Sequence, residues 1–202
     1  MQSLVSPGLL RSSGAGRHGR RRPLLSAAAA CLLCAVPPAF AQQAAHSPSV
    51  YLQASRAQHG TDAVTLGATL PFGAWSMPLW GGELRGHWDM YLSRWSFDGI
   101  AGHDSALVLG VTPTLRLRPD QGRSAWFWEA GVGGTLANHR YRTAEREFST
   151  RFNFASHLGV GINLGARRQH ELLLSVEHLS NASIKKPNPG LNFVHLRYAL
   201  HF

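Results

Sequence analysis

Arg151-Phe152-Asn153-Phe154-Ala155-Ser156-His157-Leu158-Gly159-Val160-Gly161-Ile162-Asn163-Leu164 sorts its side chains by parity. Phe152, Phe154, Leu158, Val160, Ile162 and Leu164 share one parity, and Arg151, Asn153, His157, Gly159, Gly161 and Asn163 the other. Period two marks a β-strand, because successive side chains of a strand point to opposite faces. The second face decides which solvent the first one meets. A water-soluble sandwich buries its apolar face and sets ordinary surface lysines and glutamates on the other. Here the opposite face holds glycines, small groups and isolated charges, which suit a narrow polar interior. Apolar outside and polar inside, in segments of about ten residues, is the pattern of a transmembrane β-barrel.

The same alternation recurs over residues 50–57, 63–72, 83–95, 105–117, 125–137, 171–180 and 191–202, making eight strands and one domain. In the third run Leu84, Trp88, Met90 and Leu92 oppose Glu83, Arg85, His87 and Asp89. The fold class is therefore all-β, an eight-stranded antiparallel transmembrane barrel. Only a closed barrel lets strands cross hydrocarbon with every backbone group paired. Eight strands leave a lumen that side chains fill, so Glu83, Arg85, Asp89, Glu129, Glu177 and Arg197 read as a structural polar core and not as a pore or a site. Segments 118–123 and 166–169 are short polar inner turns, and 138–150 and 181–190 are longer outer loops. Segment 73–82 is long for an inner turn and carries Trp75 and Trp80, which suit a membrane interface. Leu196, Tyr198, Leu200 and Phe202 end the chain on one face, in a way that resembles the C-terminal assembly signal of bacterial outer-membrane proteins.

Residues 1–41 read as a secretory signal preceding a barrel domain at 42–202. Arg17, Arg20, Arg21 and Arg22 form a basic start, 24–36 an apolar run, and Ala39-Phe40-Ala41 a small-x-small cleavage site. Cys31 and Cys34 both lie in this segment, so the mature chain has no disulfide framework. Removing five of the 20 lysines and arginines while keeping all 11 acids lowers the net charge from +9 to about +4. Much of the basicity is thus a targeting feature, and nucleic acid is not an expected partner.

The site candidate lies in Glu177-His178-Leu179-Ser180-Asn181-Ala182-Ser183-Ile184-Lys185-Lys186-Pro187-Asn188-Pro189-Gly190-Leu191-Asn192. His178 and Ser180 share a strand face about 6 to 7 Å apart at Cβ, a gap an imidazole can span. A serine hydroxyl becomes a competent nucleophile when such a base takes its proton. Leu172, Leu174 and Val176 assign this parity to the lipid side, and Asn192 falls on the corresponding face of the last run. Polar residues at membrane depth are costly and point to function. A base and a hydroxyl aimed into the outer leaflet act on a lipid.

His178-Leu179-Ser180-Asn181-Ala182-Ser183-Ile184 with Pro187-Asn188-Pro189-Gly190 resembles the signature of the lipid A 3-O-deacylase (PagL) family. The resemblance implies an eight-stranded outer-membrane barrel that removes the ester-linked acyl chain at position 3 of lipid A. It implies Ser180 as nucleophile, His178 as general base, and Asn181 with neighbouring backbone amides as an oxyanion hole. Asn188, Gly190, Lys185 and Lys186 join the oxyanion or substrate-binding set, with the lysines and loop arginines facing lipid A phosphates. The acid that orients the histidine in that family falls at Asn192, leaving Asn192, Glu177, Glu145 and Glu147 as alternatives. No cofactor or metal is expected. The expected partners are lipopolysaccharide and the membrane, with a homodimer left open. Three rivals remain: a non-enzymatic barrel serving adhesion or membrane stability, an outer-membrane phospholipase, and a soluble periplasmic barrel of lipocalin type.

Overall fold

The computed structural model describes residues 46–202, and the expected signal segment lies outside the described residues. Eight strands follow in order: β1 Ser49–Ala57, β2 Asp62–Leu79, β3 Gly82–Gly99, β4 Gly102–Arg118, β5 Trp126–Ala137, β6 Phe152–Leu164, β7 His170–Ser180 and β8 Leu191–His201. Each pairs antiparallel with its sequence neighbours, and β1 pairs with β8 from Ser49↔His201 to Ala57↔Phe193, closing the barrel. The parity read from sequence is the parity of burial. β8 alternates without exception, with Val194, Leu196, Tyr198 and Leu200 exposed and Phe193, His195, Arg197 and Ala199 buried.

The charged residues buried in the lumen meet partners of opposite charge or hydrogen-bonding groups, as their burial requires. Arg116 donates to Glu129 Oε2 at 2.6 Å and to Glu171 Oε2 at 2.7 Å. Arg197 donates to Asp89 at 2.8 Å while its guanidinium lies 3.8 Å from the centre of the Tyr51 ring. Tyr51 closes that cluster by donating to Asp89 Oδ1 at 2.6 Å. Space for these rings comes from glycine: a Cβ on Gly67 would sit 2.2 Å from Tyr51, and one on Gly161 2.2 Å from Phe127. Truncating Arg116 to methionine takes from two buried carboxylates, Glu129 and Glu171, the guanidinium that bridges them. The expected cost is roughly 3–5 kcal/mol, read as a lower urea midpoint of the refolded barrel in detergent micelles.

Aromatic side chains take over at the outer end. Tyr141 and Phe148 of the β5–β6 loop are buried against Trp95, Phe97 and Phe193, with the Tyr141 ring 4.6 Å from Phe97 and 5.5 Å from Phe148. The loop thus folds over the barrel mouth and becomes a rigid support for its neighbours.

Two connections differ from the sequence reading. Segment 73–82 is no long turn: β2 continues to Leu79, and only Trp80 and Gly81 turn, at φ 51° and 74°. Pro71, Gly73 and Pro78 look like turn residues, but a bulge absorbs them. Between Pro71↔His87 and Ser76↔Arg85, four residues of β2 stand against Gly86 alone. Phe72 covers that glycine and meets Trp88 edge-on at 5.2 Å. Likewise β3 and β4 run on past Trp95 and before Ser105 to a tight turn at Ile100 and Ala101.

Candidate active site

β7 carries His178 and Ser180 on the lipid-facing side at its outer end, as their parity with Leu172, Leu174 and Val176 requires. The register brings Ser156 of β6 and Asn192 of β8 to either side of His178. A polar row therefore crosses three strands of an otherwise apolar surface. Ser180 stands opposite Phe154, which packs edge-on against Phe152 at 5.2 Å.

His178 Nδ1 lies 2.7 Å from Asn192 Oδ1. A carbonyl oxygen only accepts, so Nδ1 is the donor, and in the neutral ring Nε2 then keeps its lone pair. Of the four candidates for orienting this ring, the structure brings Asn192 into contact. Glu177 points into the lumen, 3.8 Å from His195 Nε2, and Glu147 pairs with Arg142 at 3.1 Å in the outer loop.

Gly190 has φ 67°, and a Cβ there would stand 2.9 Å from His178 Cε1. Backbone and ring approach each other this closely only because position 190 has no side chain. Its place is beside the base, not around the serine. Alanine there is strained in the left-handed region and displaces the ring. Gly190→Ala is expected to lower kcat of ester hydrolysis about 10²-fold with little change in KM, in a barrel that still shows heat-modifiable gel mobility.

The β5–β6 loop holds the chain that carries Gly190. Arg146 Nη1 donates to Gly190 O at 2.7 Å and Pro189 O at 3.2 Å, and Ser149 donates to Lys185 O at 2.8 Å. Asn181 joins the same lattice: its side chain, 2 % exposed, donates to Ser149 Oγ at 2.9 Å and Lys185 O at 2.7 Å. Its backbone N–H is also engaged, donating to Asn188 Oδ1 at 2.9 Å. Asn181 and Asn188 thus lock the loop to the end of β7, and the donors of Asn181 are all engaged in doing so.

The next two amides are uncommitted. Ala182 and Ser183 sit at φ 53° and 61° in a turn closed by Ile184 N–H to Asn181 O at 3.0 Å. Their N–H groups make no hydrogen bond among the described residues. Left-handed backbone is costly for residues with a side chain, and strain of this kind gathers at functional sites. Lys185 and Lys186 extend from this loop, exposed.

An open groove of about 860 Å³ runs along the lipid-facing surface over His178 and Asn192. Leu158, Val176 and Val194 give it apolar walls, and Arg56 of β1 lines it too. Sequence reading passed over Ser156, Arg56 and Ser149, and it set Arg146 among the loop arginines facing lipid A phosphates, whereas the structure gives it to the Pro189 and Gly190 carbonyls. Parity marks the first two as polar residues on an apolar face, whereas the roles of the others depend on a loop-to-loop contact that has no sequence signal.

A closed barrel with a lumen filled by ion pairs, and with a histidine, an asparagine and a serine on its lipid-facing surface, defines a small outer-membrane barrel built to work on a lipid. Residues 62–201 match the family model of lipid A 3-O-deacylase (PagL). The lipid A deacylase PagL of Bordetella bronchiseptica is 29 % identical over 131 residues, covering 61 % of this chain and 70 % of that protein. The crystal structure of the outer membrane enzyme PagL superimposes with a TM-score of 0.64 at 21 % identity, over 76 % of this chain and 99 % of that one, a likeness of fold. The chain belongs to the lipid A 3-O-deacylase family.

Proposed function

We propose that this chain hydrolyses the 3-O-acyl ester of lipid A in the outer leaflet, with Ser180 as nucleophile and His178 as general base. The observation that carries this reading is the His178–Asn192 hydrogen bond on the lipid-facing surface, two residues from Ser180. It leaves Nε2 as the basic nitrogen on the face shared with the serine. The Ser180 hydroxyl makes no hydrogen bond among the described residues, and contacts of this kind often tighten only around substrate.

The reaction follows from these groups. His178 Nε2 takes the proton from Ser180 Oγ as that oxygen attacks the ester carbonyl. The carbonyl oxygen becomes an oxyanion, for which the Ala182 and Ser183 amides are the nearest uncommitted donors in sequence. One such donor is worth about 2.7–4 kcal/mol in the transition state. The intermediate collapses, the sugar oxygen leaves with the proton from His178, and an acyl ester on Ser180 remains. A water then gives a proton to His178, attacks that ester, and releases the fatty acid while the proton returns to Ser180. Phe154 and Phe152 flank the serine and suit the departing acyl chain. Lys185 and Lys186 are placed to meet phosphate at the headgroup level.

Mass spectrometry of lipid A and phospholipid from cells expressing the chain tests the proposal. Loss of one 3-hydroxyacyl group from lipid A supports it. Unchanged lipid A with a folded barrel overturns it, and lysophospholipid in its place assigns the site to phospholipid.

A further inference from the structure

Arg56 is a cation on a face where the preceding outward residues of β1 are Val50, Leu52 and Ala54. Its register explains why it belongs with the site and not with the opposite wall. Arg56 pairs with Val194, and Val194 pairs with Val176, one row from the His178–Asn192 pair. β1 is two strands from β7, about 10 Å across the surface. Arg56, His178 and Asn192 line the same groove.

Arg56 is held by one weak contact. Its Nε lies 3.8 Å from Asp62 Oδ1, with the two side chains 76 % and 58 % exposed. Exposed pairs of this geometry contribute little and yield to a stronger partner. The two terminal nitrogens make no hydrogen bond among the described residues, so the planar fork is free for a bidentate acceptor. Lys185 and Lys186 do not line the groove; Ser180 stands two residues along β7 from His178, outside the lining.

We propose that Arg56 is the anion-binding end of the substrate groove, taking a phosphate monoester on the sugar whose acyl ester is presented to Ser180. This rests on the reading of the site as a glycolipid esterase and adds what the polar headgroup must carry. Bidentate guanidinium–phosphate recognition sets the sugar at a fixed distance from the serine, which a point charge on a lysine stem does less well. Arg56 touches substrate without joining the proton transfers, so it acts on binding and position.

The test uses the full barrel in detergent micelles with two substrates: lipid A bearing phosphate on the sugar that carries the 3-O-acyl ester, and the same lipid with that phosphate removed. Wild type and Arg56→Gln are compared on both. The expected result is a KM about tenfold higher for Arg56→Gln on the phosphorylated lipid, with kcat within a factor of about two. On the dephosphorylated lipid the two proteins should be equal, and wild type should have lost the same tenfold. Equal KM values on the phosphorylated lipid overturn the inference, as does an equal loss by Arg56→Gln on both lipids, which would mark a structural role. Wild type inactive on both substrates refutes the esterase reading itself, and with it this inference. If Lys185→Gln and Lys186→Gln reproduce the phosphate-specific loss while Arg56→Gln does not, the anion site lies on the loop instead.

Discussion

Ser180→Ala is expected to lower kcat for lipid A deacylation by roughly 10⁴-fold or more while the barrel folds normally. Ser180 is half-buried at the strand end, makes no hydrogen bond among the described residues, and supports neither the lumen network nor the loop lattice. Its removal therefore takes away chemistry and little stability. His178→Ala should fall by a similar factor, and the double variant should be no worse than either single one, because a base without a nucleophile does nothing. Ser156 sharpens this prediction. It stands directly across from His178 and is a second hydroxyl within reach of the same imidazole. Ser180 is preferred because the two uncommitted amides of the Asn181–Ile184 turn follow it in sequence. Were Ser156→Ala inactive and Ser180→Ala active, the nucleophile would be assigned to the wrong strand.

The second large effect concerns Asn192. Its side-chain oxygen fixes the tautomer and direction of His178 through the 2.7 Å bond, yet it carries no charge. Asn192→Leu removes both functions and should lower kcat about 10²–10³-fold. Asn192→Glu should do the reverse if its carboxylate reaches Nδ1, since a negative charge stabilises the imidazolium that forms during attack. A rise in kcat of up to about tenfold is expected, read at saturating lipid A over a range of pH. Loss of activity in Asn192→Glu at every pH would show that the neutral amide is required and that the account of its role is wrong.

Strand parity made the barrel legible, because lipid outside and a crowded lumen inside impose opposite demands on alternate residues. Residues 151–164 alone carry both demands. The exact reach of β2 was not legible, since Pro71, Gly73 and Pro78 signal a turn locally while the bulge opposite Gly86 keeps the strand running. At the site, parity placed His178, Ser180 and Asn192 on one face, and register then made His178 and Asn192 direct neighbours. What parity cannot show is which loop groups are already spoken for. Asn181 looks like a donor in the sequence but spends its N–H on Asn188 Oδ1 and its amide on Ser149 and Lys185. Arg146, more than forty residues from Gly190, reaches it only because Tyr141 and Phe148 pin the outer loop into the barrel mouth.

The central claim, that Ser180 is a nucleophile activated by His178 on the lipid-facing surface, is tested most directly by covalent trapping. Folded barrel in detergent micelles would be treated with a long-chain alkyl fluorophosphonate, and the modified peptide identified by mass spectrometry. The account predicts a single phosphonyl adduct on Ser180, absent in Ser180→Ala, greatly slowed in His178→Ala and slowed by added lipid A. An adduct on Ser156, or an enzyme that deacylates lipid A while Ser180 stays unmodified and its alanine variant stays active, would contradict it.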